Sequence, residues 1–204
     1  MNEIKTYDNI DYFNRILNCI DSAWNIFANK VGHGLININK EASMQLQFAN
    51  IIRILLPLCA YAQGERAEVE LETAIHDGDR IREADIVIEA FKENDHFRVV
   101  IELKCYKSYA ASGGKRGAHD IFRKDVYFDI ELIGKYIKNN QVIQGMCFVM
   151  TDYKSFVHPE QRRGKRWNYD ISNGAKISNI TVNTLIGGNS VYRYRKNMNL
   201  TGII

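Results

Sequence analysis

The residues best suited to chemistry are two carboxylates and a lysine: Asp85 and, after sixteen intervening residues, the run Glu102-Leu103-Lys104. Alternate residues of a strand share a face, so Glu102 and Lys104 point the same way. They interrupt the apolar run Val99-Val100-Ile101 just as it ends. Asp85 opens the preceding apolar segment, and antiparallel pairing of the two segments brings it across from that end. Two carboxylates, helped by the carbonyl of Ile101 or Leu103, offer the hard oxygen ligands that suit Mg²⁺ and leave waters on the ion. Such an ion polarises a phosphodiester and lowers the pKa of bound water. A neighbouring lysine orients the attacking water and neutralises developing charge, or acts as a base if its pKa is strongly depressed.

The elements that must position these groups follow from hydrophobic periodicity. Residues 8–29 place Phe13, Ile16, Leu17, Ile20, Trp24 and Phe27 at helical spacing. A second helix over about 40–63 aligns Met44, Phe48, Ile51, Leu55 and Leu58, with Asn39 as a cap. Three strands follow at 67–75, 84–91 and 97–105, the last two joined by a short turn at Asn94-Asp95. A glycine-rich basic loop, 108–117, leads to a helix over 119–139 with Phe122, Val126, Ile130, Ile133 and Ile137 on one face. The continuous apolar run 142–151 is a buried strand, expected parallel to the third. Two late strands are expected at 177–182 and 191–194.

Asp85, Ile-Glu102-Leu-Lys104 and their strand positions resemble the PD-(D/E)xK nuclease superfamily, the restriction-endonuclease-like fold. The resemblance covers about residues 40–151 and implies an α/β (α+β) architecture. Its core is a helix, a three-stranded meander, a helix and a strand, with a central mixed sheet flanked by helices. It implies Asp85 and Glu102 as metal ligands and Lys104 as the catalytic lysine. Many members add a glutamate from the preceding helix, and Glu41 holds that place here; a solvated carboxylate complementing the helix dipole is the rival account. Ala84 replaces the proline that usually precedes the aspartate. The implied cofactor is Mg²⁺, with Mn²⁺ as a substitute. The implied activity is hydrolysis of DNA phosphodiesters by a restriction-type, defence or mobile-element endonuclease. The alternative is a nucleic-acid-binding protein that keeps the nuclease-like fold without cleaving.

Other residues bear on the same site. Gln45 lies one turn after Glu41 and is a candidate accessory residue. Glu70 and Glu72 read as a solvated strand face, and Asp79 is a weaker substitute for Asp85. Asp77-Gly78-Asp79 lacks the remaining spacing of a calcium loop, and Gly113-Gly114-Lys115-Arg116-Gly117 lacks that of a phosphate loop.

The chain of 204 residues, 46% hydrophobic and 25% charged, suits one domain, 1–204. In this reading the N-terminal helix and the basic extension 152–204 lie outside the core, as candidates for an interface or for target reading. Residues 1–102 carry 10 Lys+Arg against 17 Asp+Glu, whereas residues 103–204 carry 17 against 7. The site therefore lies where an acidic half meets a basic one. Lys107, Lys115 and Arg116, then Arg162, Arg163, Lys165 and Arg166, then Arg193, Arg195 and Lys196 form basic clusters. Trp167, Tyr169, Tyr192 and Tyr194 are interleaved with the last two. With His119 at a helix start, these suit nucleic-acid phosphates. Double-stranded DNA is the expected partner, and cutting both strands makes a homodimer plausible. The apolar stretch 51–62 contains Arg53 and is short for a bilayer span. The start is polar and Cys19, Cys59, Cys105 and Cys147 are scattered, so a cytoplasmic protein with buried reduced thiols and no membrane partner is expected.

Overall fold

The computed structural model of the protein describes residues 11–110, 112–161, 167 and 169–172. It also describes the backbone of residues 10, 176–177, 181–183, 191–193 and 198–199. Two helices, α1 (Ile10–Gly32) and α2 (Glu41–Leu55), precede three strands, β1 (Glu65–His76), β2 (Ile81–Lys92) and β3 (Asp95–Tyr106). Helix α3 (His119–Lys138), strand β4 (Gln144–Thr151) and the short helix α4 (Lys154–Val157) follow. The sheet order is β1-β2-β3-β4, antiparallel except for the β3–β4 pair, which is parallel. A crossover helix must join parallel neighbours, and α3 is that helix.

Helices cover both faces of the sheet. On one side α1 and α2 pack Ile16, Ile20, Trp24, Phe27, Met44, Phe48 and Ile52 against Ile86, Ile88, Val99, Ile101 and Leu103. On the other, α3 packs Leu132, Ile133 and Tyr136 against Val87 and Val100, and Val126, Tyr127 and Ile130 near Tyr106. The α+β class and mixed sheet are thus as the periodicity predicts. Helix α1 is not an appendage outside the core: Ile16 and Ile20 are fully buried, because its apolar stripe covers α2 and the sheet together. Gly145 lets α3 approach β4, since a Cβ there would lie 2.2 Å from Ile133 Cγ2.

Two other boundaries differ from expectation. Helix α2 ends at Leu55 and passes into a 3₁₀ turn, Leu56–Cys59. Pro57 has no N–H to continue the ladder, and the tighter turn rotates Leu58 outward to 69% exposure. The segment 177–182 is not one strand; it contributes to β5 (Lys176–Ile177) and β6 (Thr181–Asn183). These pair with β8 (Met198–Asn199) and β7 (Val191–Arg193) respectively. Taken together, Glu41–Cys59 is long and apolar enough, by length and composition, to cross a membrane. In this fold that segment is tied to the sheet: Arg53 donates to the Val69 carbonyl at 3.1 Å, and Met44, Phe48 and Ile52 are buried.

A kink in β1 and β2 prepares the site. Leu71 pairs with Ile86 and Thr73 with Ala84, while Glu72 between them adopts a left-handed backbone, φ 51°. This interrupts side-chain alternation. Val69 and Leu71 pack on the α1/α2 side, and Ile75 packs against α3. Ile86 and Ala84 divide the same way. Asp85 sits at that break, where the β2–β3 ladder reaches its Ile86–Ile101 pair.

Candidate active site

Continuing the β2–β3 register one step beyond Ile86–Ile101 sets Asp85 opposite Glu102. The backbone ladder gives way there to a side chain: Asp85 Oδ2 accepts the Leu103 N–H at 2.6 Å. Glu102 is buried, 4% exposed, and its Oε1 has no hydrogen-bond partner among the described residues. Burial raises the Glu102 carboxyl to about 9, reinforced by nearby Asp129 and Asp85 and opposed by Lys104. Asp85 is also raised by burial, against the Leu103 N–H that favours its charged form. With a value of about 9, the Glu102 carboxyl favours its neutral form at pH 7, and a bound cation would favour the charged one.

Lys104 points along the same face as Glu102, toward α3 and α2. Its Nζ lies 2.8 Å from Asp129 Oδ2 and 3.6 Å from Glu41 Oε1, and it donates to the Leu103 carbonyl at 3.2 Å. Burial disfavours its charge, but Asp129 and Glu41 more than offset this and leave its pKa above the ordinary lysine value. Its anionic partners thus favour a charged lysine over a lysine base.

Glu41, the first residue of α2, is not merely a solvated cap. Its Oε2 accepts the Cys105 N–H at 3.3 Å while Oε1 faces Lys104. Burial raises its pKa and Lys104 opposes the rise. Gln45, one turn later, donates to Glu72 Oε1 at 2.6 Å and to the Asp85 carbonyl at 2.7 Å. Glu72 is exposed but is not a free strand-face carboxylate, because the left-handed backbone turns it to Gln45 beside Asp85. Glu70 remains exposed on the strand face. Asp79 stays in the β1–β2 turn, where Asp77 Oδ1 accepts its N–H at 2.9 Å.

Asp129 was missing from the sequence-derived set. It occupies the buried stripe of α3, three residues after Val126 and four before Ile133. A charged residue on that stripe was the signal available. Burial raises it to about 6, with Lys104 pulling it down.

The donor set of Asp85, Glu102 and Glu41 consists of hard oxygens, and the partnerless buried oxygen of Glu102 is what a Mg²⁺ or Mn²⁺ ion would satisfy. The residues fit such an ion chemically. Among the described residues, however, no group of three or more His, Cys, Asp or Glu is already arranged as a metal cage. Asp85 is engaged with Leu103, and Glu41 with Cys105 and Lys104.

The basic loops divide. Tyr109 bridges to Lys115 across the 108–117 loop, leaving Lys115 exposed and Arg116 half-buried. Lys107 pairs with Asp152 at 3.4 Å. His119 is half-buried beside Tyr153 and Tyr106. Tyr169 is not an aromatic available to nucleic acid: it is buried against Tyr127. Arg162, Arg163, Lys165, Arg166, Tyr194, Arg195 and Lys196 lie outside the described residues, as do the side chains of Tyr192 and Arg193. The four cysteines are free thiols; Cys19 is buried and the other three are partly so.

No family model matches the chain, and no curated protein or solved structure gives a significant match.

Proposed function

We propose that the protein is a metal-dependent nuclease with a restriction-endonuclease-like core, hydrolysing phosphodiester bonds of DNA. The carrying observation is Glu102, a buried carboxylate with an unsatisfied oxygen, beside Asp85 and two residues from a charge-held lysine. Asp85, Glu102 and Glu41 would hold Mg²⁺ or Mn²⁺, and that ion would polarise the scissile phosphate and acidify a bound water.

The chain's own contribution is electrostatic and positional. Lys104, kept protonated between Asp129 and Glu41, presents a cation to the phosphate and orients the attacking water. Asp129 holds the ammonium in place from α3, so a long flexible side chain arrives with its conformational freedom already spent. Gln45 ties the backbone of Asp85 to α2 and fixes the strand break that aims its carboxylate. Lys115 and Arg116, on the loop after β3, are suited to backbone phosphates on either side.

One observation favours the non-catalytic reading, in which the fold binds nucleic acid without cleaving it. Lys104 already bridges Asp129 and Glu41, and such a network is self-sufficient as a structural ion cluster. Incubating supercoiled plasmid and single-stranded DNA with Mg²⁺ or Mn²⁺ separates the two. Nicking by the wild type that disappears in Asp85→Ala and Lys104→Ala supports the nuclease. Binding of DNA without nicking under any of these conditions supports the non-catalytic protein.

A further inference from the structure

Cys19 and Cys59 are 40 residues apart in sequence but line the same surface cavity of about 320 Å³, between α1 and the 3₁₀ turn that follows α2. Cys19 is buried on α1, and Cys59 is half-buried on the turn. Arg15, one turn before Cys19 on the same face of α1, donates to the Cys59 carbonyl. The turn is thus anchored to α1 beside Cys19, and both cysteines pack into one apolar cluster. The two thiols also interact. Burial pushes Cys19 up to about 12, and the charge and hydrogen bond of the Cys59 thiol add to the rise.

The other two cysteines are placed differently. Cys105 packs on the α1/α2 side of the sheet and Cys147 on the α3 side. A disulfide needs Cβ atoms about 3.5–4.5 Å apart and directed at each other, which opposite faces of a sheet forbid.

We propose that Cys19 and Cys59 are a redox-active dithiol, which a peroxide closes to a disulfide that ties α1 to the turn after α2. The proposal goes beyond the nuclease reading and does not depend on it. Cys59, the more accessible sulfur, takes one peroxide oxygen as the O–O bond breaks, giving a sulfenic acid and one water. The Cys19 sulfur then attacks that of Cys59. The S–O bond breaks, and the Cys19 proton leaves with the departing hydroxide as a second water. In all, two thiols lose two electrons and one peroxide becomes two waters. The raised pKa of Cys19 suits this second role, because a protonated thiol is inert to peroxide until an electrophilic sulfur forms beside it.

The test is peroxide treatment of the folded full-length chain, then free-thiol titration under denaturing conditions and peptide mapping without reductant. Wild type should fall from four free thiols to two, with the Cys19 and Cys59 peptides joined, and dithiothreitol should restore all four. Cys105→Ser and Cys147→Ser should form the same bridge. Cys59→Ser should form none, and Cys19→Ser should stop with Cys59 as a sulfenic acid that dimedone traps. The bridge should raise the melting temperature of wild type by roughly 5–10 °C, because it closes a long loop in the unfolded chain. Neither wild-type readout requires a variant to fold. Treatment that leaves four thiols, carries Cys59 to sulfinic acid unbridged, or joins either residue to Cys105 or Cys147 would overturn the proposal. So would a Cys19–Cys59 bridge that lowers the melting temperature, since it would form only in a distorted fold.

Discussion

Two buried carboxylates, Glu65 and Glu102, sit far apart on the same sheet in opposite circumstances. Glu65, at the start of β1, has a side chain with 0% exposure and is surrounded by donors. Arg15 reaches it through both terminal nitrogens at 3.0 and 2.8 Å. Lys92 lies 3.3 Å away, and the N–H groups of Tyr61 and Ala62 donate at 2.9 and 3.1 Å. The Arg15 hydrogen bonds foremost, with those N–H groups, lower its pKa to about 2. Glu102 has like charges beside it, one oxygen without a partner among the described residues, and a pKa pushed up to about 9 by burial first. The first pins α1 to the end of the sheet; the second is, on the proposed reading, placed for a divalent cation.

Substitutions should separate the two. Lys104→Ala or Glu102→Gln is expected to lower plasmid nicking by about 100-fold or more, with the fold retained. Glu102→Gln should leave the melting temperature unchanged or raise it, since a poorly compensated buried acid is removed. Equal loss of activity and stability on circular dichroism would erase the distinction. Glu65→Gln should do the reverse, costing about 2 kcal/mol of stability at neutral pH and leaving nicking by the folded protein intact.

The pH dependence has a defined sign. The folded pKa of Glu65 lies below its unfolded value near 4.5, so its stabilisation is complete above that value and is lost as pH falls toward about 2. Denaturant unfolding of wild type and Glu65→Gln should therefore differ by a constant amount from pH 6 to 8 and converge between about pH 5 and 2. A difference persisting below that range would assign the effect to packing.

Smaller effects sharpen the positioning side. Gly145→Val should cost about 2 kcal/mol, because the new side chain meets Ile133 and Val100. It should also lower nicking by shifting α3 and hence Asp129. Gln45→Ala should reduce nicking only several-fold, since Glu72 and the Asp85 carbonyl can turn to water; unchanged nicking would remove Gln45 from the site's support.

The layout of α3, β4 and the meander was legible because each is a periodic apolar segment with a long face to bury. Asp85, Glu102 and Lys104 were legible because they break those segments at strand ends. Asp129 lies visibly on the apolar stripe of α3, but a lone acidic residue in a helix carries no spacing that ties it to Lys104, which only the packing of α3 on β3 brings to it. Glu72 had no local signature: a left-handed glutamate in mid-strand is imposed by the tertiary kink, and simple alternation points the side chain the wrong way. Leu58 was misassigned because Pro57 ends the regular helix before it.

The central claim is that the unsatisfied end of the sheet holds a divalent cation. Thermal unfolding with rising Mg²⁺ and Mn²⁺ tests it most directly, since binding to the folded state alone stabilises by mass action. The account predicts that metal raises the melting temperature of wild type and Glu65→Gln and has no effect on Asp85→Ala or Glu102→Gln. No shift in the wild type, or the same shift in Glu102→Gln, would contradict it.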